Sequence, residues 1–264
     1  MYDPLGDRLK AIEHPTTSGR IGPDRTIYAR LDGRAFSTFT RDMHPFDERM
    51  TKTMHAVTKA LVEEFNATIG YVQSDEISLI WKAVEPPLEH PFGGSVVKLT
   101  SLLPSFAASV FAQHGLTQFG ADRIWKYHPH FDCRVLDVNA HDATDMILWR
   151  ADDAHRNAVS AEAQTLSNDL HRISTDKLIV GVIGRNRYDE MNMYFKHGAF
   201  FRRVRREIEM PENVRMAIPD EYRPPAGHRY VRKFVDVLPA FDFRMITNRH
   251  AFVFENADPK GPPS

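Results

Sequence analysis

A single cysteine, Cys133, in 264 residues excludes any intramolecular disulfide, and with it the cross-linked framework of small secreted domains. The first 25 residues are polar and hold no apolar core of the signal-peptide kind, so a reducing cytoplasm is the expected compartment. No Gly-x-x-x-x-Gly-Lys loop occurs, and any phosphate must be gripped by other means. The 13 histidines lack metal-ligand spacing. A formal net charge of −1 excludes a uniformly basic nucleic-acid binder, leaving only local Lys and Arg patches for such a role. Leu99 to Ala121 contains no Asp, Glu, Lys or Arg and is long enough to cross a bilayer, but Pro104, Gln113, His114, Gly115 and Gln118 fit a buried helix and loop better, and no membrane partner is expected.

What is present is ordinary for a soluble globular chain, 42% hydrophobic and 26% charged, with two unusual acidic turns. Arg30-Leu31-Asp32-Gly33-Arg34 follows the strand-like run Thr26 to Leu31, whose residues are mostly β-branched, aromatic or apolar. Gln73-Ser74-Asp75-Glu76 lies between two further β-like runs, Thr68 to Val72 and Ile77 to Trp81, so tightly that it reads as the turn of a hairpin with Asp75 and Glu76 at its tip. From Phe46 to Phe65, Phe46, Met50, Met54, Val57, Leu61 and Phe65 recur at helical spacing. A helix-like stretch from Ser95 to Gln113, interrupted by Pro104, precedes a last strand, Phe131 to Leu136. The order β-α-β-β-α-β is the α+β, ferredoxin-like plan, with two helices on one face of an antiparallel sheet. There the end of the first strand lies beside the tip of the central hairpin, so Asp32 and Asp75 are expected to be neighbours. Mg²⁺ is completed by one or two carboxylates, waters and substrate phosphates, and a palm-like pair of this kind would hold two ions roughly 3.5–4 Å apart.

Four stretches in one order carry a resemblance to a known family: Arg30 to Phe36, Tyr71 to Ser78, Phe131 to Val135, and Trp149 to Asn157. The chain resembles the tRNA-His guanylyltransferases, the 3′–5′ polymerases, and in Pro45 to Arg49 and Ser74 to Leu79 their bacterial and archaeal-type branch, associated with templated repair of tRNA 5′ ends. The resemblance implies Asp32, Asp75 and Glu76 as catalytic residues and Asp32, the Gly33 carbonyl and Asp75 as ligands of two Mg²⁺ ions. It implies a tRNA 5′ end that is first activated by ATP or GTP and then attacked by the 3′-hydroxyl of an incoming NTP, GTP foremost. Nucleotide contacts are expected from Asp32 to Ser37 (Gly33, Arg34, Ala35 and Phe36 between them), Ser74, Asp75, His155, Asn157 and Lys196. The family's usual assembly is a homo-tetramer. Ser95 and Ala158 depart from residues common in the family, an arginine and a second asparagine.

Lys98, alone in an otherwise uncharged stretch, is expected either to snorkel to the surface or to grip a triphosphate, the second being preferred. Two basic clusters, Arg202-Arg203-Val204-Arg205-Arg206 and Arg229 to Lys233 with Arg232, carry aromatics Phe200, Phe201 and Tyr230 beside them, a combination expected to contact tRNA. A helix running on from Asp145 would carry His155, Arg156 and Asn157. Residues 1–140 are read as the catalytic palm and 141–264 as an extension packed on it, with Pro211 to Gly227 a loop or linker and Asn256 to Ser264 a frayed tail. A cyclase acting on free NTP and a weakened tRNA-binding protein remain as alternatives.

Overall fold

The structure, a computed structural model, describes residues 8–9, 11–12, 18–43, 47–166 and 184–262. In chain order the elements are β1 (Thr26–Gly33), α1 (Phe36–Phe39), α2 (Glu48–Glu64), β2 (Ile69–Gln73), β3 (Glu76–Trp81), α3 (Val96–Phe119), α4 (Ala121–Tyr127), β4 (Phe131–Val138), α5 (Ala140–Leu166), α6 (Arg185–Glu190), α7 (Met193–His197), β5 (Ala199–Glu209), α8 (Glu212–Met216), β6 (Arg229–Val237) and α9 (Arg249–Phe254). The strands form one antiparallel sheet in the order β4-β1-β3-β2-β5-β6. Its first four strands are the ferredoxin-like arrangement expected from the sequence.

Alternation along the strands decides the two faces. Ile27, Ala29 and Leu31 of β1 and Ile77 and Leu79 of β3 are fully buried under α2 and α3. Each of the Ile and Leu side chains contributes roughly 1.5–3 kcal/mol by leaving water. In α2, Asp47 accepts from the Arg49 N–H as the N-cap, so the helix starts at Glu48; Phe46, the expected start, lies outside the described residues. In α3, Leu99, Leu103, Ala107, Phe111 and Gly115 recur every fourth residue as one buried stripe. Pro104 sits within this helix, which runs on to Phe119 rather than stopping at Gln113.

The opposite face is also covered. Tyr28, Ile69, Tyr71 and Ile80 pack against Ala143, Ile147 and Ala151 of α5 and against Phe243 and Phe252. The helix read from Asp145 therefore begins at Ala140 and closes the second face. The 140/141 division falls one residue into α5, while β5, from the C-terminal part, pairs directly with β2 of the palm. Pro211 to Gly227 is the tip of the long β5–β6 hairpin, containing α8. The tail is held as well: Lys260 N–H donates to Asn248, and Thr247 N–H donates to the Lys260 carbonyl.

Candidate active site

The two acidic turns meet at one end of the sheet. Strand β1 continues through Asp32 and Gly33 instead of ending at Leu31, and the hairpin turn narrows to Ser74 and Asp75, with Ser74 at φ 50°. Asp32 stands directly opposite Glu76 of β3 and Asp132 of β4, and opposed residues of an antiparallel pair share a face. The Gly33 N–H donates to the Asp75 carbonyl at 3.1 Å. Glycine at 33 is required by packing: a Cβ would lie 2.6 Å from the Phe36 ring. The left-handed turn itself falls two residues on, at Ala35 (φ 59°).

The carboxylates differ in environment. Burial, reinforced by the charge of Asp32, pushes the Asp75 carboxyl above its ordinary range. Burial also raises Glu76, and Arg150 opposes that rise by donating from Nε at 2.5 Å. Arg150 is held in turn by Asp153, and Arg30 Nε lies 3.8 Å from Glu76 Oε2. Arg30, Asp32, Asp75, Glu76 and Arg150, with Trp149 and Asn157, line a cavity of about 500 Å³. A second cavity of about 270 Å³ is lined by Met43, Met50, Met54 and Tyr194, with Asp47 and His55 as polar groups. The two share Gln73, Ser74, Ala161 and Phe195, so the hairpin tip stands between them.

Several expected side chains are elsewhere. Lys98 is in the first turn of α3, exposed, at the far end of the sheet: β3 carries the chain away from the tip, and Lys98 lies roughly 20 Å along the helix from Phe111, which packs on Phe36 beside Gly33. It therefore cannot grip a triphosphate at the acidic pair. Phe36 is a core residue against Phe39, Phe111 and Phe131, whereas Arg34 and Ser37 are exposed beside the turn. Asn157 lines the larger cavity. His155 is buried, stacked on His197 with ring centroids 5.7 Å apart. Lys196 is buried beside the site, donating from Nζ to the Tyr188 carbonyl at 2.8 Å, and burial lowers its pKa.

The first basic cluster is divided by strand alternation. Arg202 is buried, its guanidinium donating to the carbonyls of Phe252, Asn256 and Ala257; it supports the C-terminal segment and cannot contact RNA. Phe200 and Phe201 are equally buried, which removes them as stacking platforms. Arg203, Arg205 and Lys233 line a groove of about 1000 Å³. Arg206 and Arg232 flank Phe234, and Arg206 also pairs with Asp236. Arg229 lies beside Glu207. Because β5 leaves β2 at Arg202, opposite Ile69, these residues project beyond the end of the sheet remote from Asp32.

Arg30, Gln73, Trp149 and Arg150 also belong to the site, beyond the residues that the sequence motifs single out for a role. Arg30 had a readable signal, since it is two residues from Asp32 in a strand and shares its face. Arg150 required the packing of α5 on that face.

A family model described as tRNAHis guanylyltransferase matches residues 6–139. The chain is 32% identical over 183 residues to an uncharacterized protein of Acanthamoeba polyphaga mimivirus, covering 61% of this chain and 62% of that one. It is 30% identical over 155 residues to the tRNA(His) guanylyltransferase of Schizosaccharomyces pombe, covering 57% of each. The chain thus spans about three fifths of the length of these relatives. A bacterial tRNA(His) guanylyltransferase-like protein solved with ATP superposes with a TM-score of 0.72 at 21% identity, over 96% of this chain and 98% of that one. The tRNA(His) guanylyltransferase of Saccharomyces cerevisiae gives 0.62 at 23% identity, over 72% and 90%. At these identities the structural likeness concerns the fold.

Proposed function

Because this chain belongs to the tRNAHis guanylyltransferase family, we propose that it is a Mg²⁺-dependent 3′–5′ nucleotidyltransferase adding nucleotides, guanosine foremost, to the 5′ end of tRNA, in guanylylation or in templated repair. The observation that carries this reading is the apposition of Asp32-Gly33 with Asp75-Glu76 between two cavities.

The donor set suits a divalent cation. Two carboxylates lie close enough for one to raise the pKa of the other, which is the strain a hard cation relieves, and oxygen donors are what Mg²⁺ takes. Asp32, the Gly33 carbonyl and Asp75 would hold it. Bound there, a divalent ion would supply positive charge for activating an attacking hydroxyl and steadying a leaving phosphate. Arg150 orients Glu76 from α5, and Asn157 and Ser74 face the triphosphate side of the cavity. The smaller, methionine-lined cavity suits the purine of the incoming nucleotide. Relatives solved with ATP and with GTP support purine triphosphates as ligands. A cytoplasmic setting and a homo-tetramer complete the reading.

Labelled GTP incorporation into full-length and 5′-truncated tRNA, with 5′-monophosphate or triphosphate ends, tests it. Extension that stops when the acceptor stem is fully paired is the expected result for repair, and one added guanosine is expected for guanylylation. Cyclic nucleotide formed without RNA would replace the assignment, as would full activity in Asp32→Ala.

A further inference from the structure

Trp149 is an exposed indole beside a charged site. The residue is 53% accessible, although aromatic residues of this size are usually largely buried. Two guanidinium groups converge on it, Arg150 at 4.8 Å and Arg30 at 6.0 Å from the ring centroid. Arg150 is committed to Glu76 and Asp153. Arg30, largely buried, has Glu76 only at 3.8 Å, and directly across from it on the same face is an exposed arginine, Arg134 of β4. Like charges directly opposed on a sheet are unfavourable, and a phosphate between them would reverse the sign of that contact. Two residues further along both strands, past the pair Leu31 and Cys133, the same row reaches the acidic end at Asp32 and Asp132.

The surface is also open in one direction. Strand β4 is the edge of the sheet, and Leu136 beyond Arg134 is again exposed. A free nucleotide is usually held in a pocket that buries most of it, as the methionine-lined cavity would do. An exposed ring with arginines leading off along an edge strand instead fits a polymer that must enter and continue past the site.

We infer that Trp149, Arg30 and Arg134 form the subsite for the 5′-terminal nucleotide of the acceptor RNA, its base stacked on Trp149 and its phosphates held between the two arginines beside Asp32. This rests on the functional reading above and adds where the RNA end lies, on the β1–β4 face at the mouth of the larger cavity, separate from the methionine-lined cavity assigned to the purine of the incoming nucleotide. Trp149 is a positioning residue in this scheme.

The test uses the full chain carrying Trp125→Phe, because Trp81 is buried and Trp125 is the other exposed tryptophan. The probe is a 5′-monophosphorylated acceptor-stem hairpin with one unpaired 5′ nucleotide. Binding is expected to quench Trp149 emission. Trp149→Ala should weaken hairpin binding, measured by anisotropy of a 3′-labelled RNA, by roughly tenfold, with Trp149→Phe restoring most of it and the KM for GTP unchanged. Removing the 5′ phosphate should weaken binding to the parent protein but have little effect on Arg134→Ala. Unchanged hairpin affinity in a folded Trp149→Ala protein would overturn the inference. So would quenching of Trp149 by GTP alone accompanied by a raised KM for GTP, which would make the ring a nucleotide platform. Quenching and phosphate dependence without any GTP incorporation would uphold the RNA subsite while removing the polymerase assignment.

Discussion

The Gly33 N–H donates to the Asp75 carbonyl at 3.1 Å, a backbone bond between the end of the first strand and the tip of the central hairpin. It holds together two carboxylate-bearing turns that lie more than forty residues apart in the chain. Their proximity is therefore a property of the sheet, present before any ligand arrives; burial first, and the charge of Asp32 in addition, put the cost of ionisation on Asp75.

That cost has a sign. The folded-state pKa of Asp75 is raised above its ordinary value of 3.8, so ionisation opposes folding, and stability of the metal-free protein declines as pH rises from that value through the folded pKa. Asp75→Asn should raise the Tm of the metal-free protein at neutral pH by a few degrees while abolishing nucleotide incorporation, as expected where an active site is built at the expense of stability. Differential scanning calorimetry beside the incorporation assay checks both. A Tm that falls would show that the carboxylate is stabilising.

Glu76 and Arg150 form a buried pair, with side chains only 7% and 11% accessible. Removing one partner leaves the other buried and uncompensated, at a cost of about 3–5 kcal/mol. Arg150→Ala should therefore lose stability by about that amount in denaturant titrations, and Glu76→Gln should lose less because the amide can still accept from Arg150. Equal small losses would mean the pair is solvated.

His197 is buried 3.7 Å from Asp242 Oδ2, and burial lowers its pKa from 6.5 to about 4. The folded protein thus keeps the imidazole neutral where the unfolded chain already binds a proton. Its contribution is complete above pH 6.5 and is lost progressively as pH falls toward 4. Between pH 7 and pH 5 this amounts to at most about 2 kcal/mol, and His197→Gln should show a correspondingly shallower loss of unfolding free energy over that range.

Arg202 and Arg205 are three residues apart and have different roles. Arg202→Ala empties a buried guanidinium site serving three carbonyls and should cost about 2–4 kcal/mol, since each lost bond to a charged group is worth roughly 1.5–3 kcal/mol before relaxation. Arg205→Ala, on the exposed hairpin, should leave stability within about 0.5 kcal/mol and reduce the salt dependence of tRNA binding by about one phosphate contact. Thermal melts and salt-titrated binding separate the two.

Local pattern in the chain was sufficient to determine the first four strands, the β-α-β-β-α-β order and the meeting of Asp32 with Asp75, but not β5 and β6. Strand alternation and hairpin spacing are short-range, and the ferredoxin-like connection leaves one way to close the sheet. Folding alone decided which charged residues face the site. Lys98, Arg202 and Lys196 are all plausible phosphate ligands by residue type, yet helix direction carries the first to the far end of the sheet, and burial turns the other two onto backbone carbonyls. Arg150 and Trp149, conversely, join the acidic residues because α5 lies across the second sheet face. A charged side chain's partner is chosen by the packing of segments distant in sequence, since desolvation obliges every buried charge to find whichever polar atoms the fold brings to it.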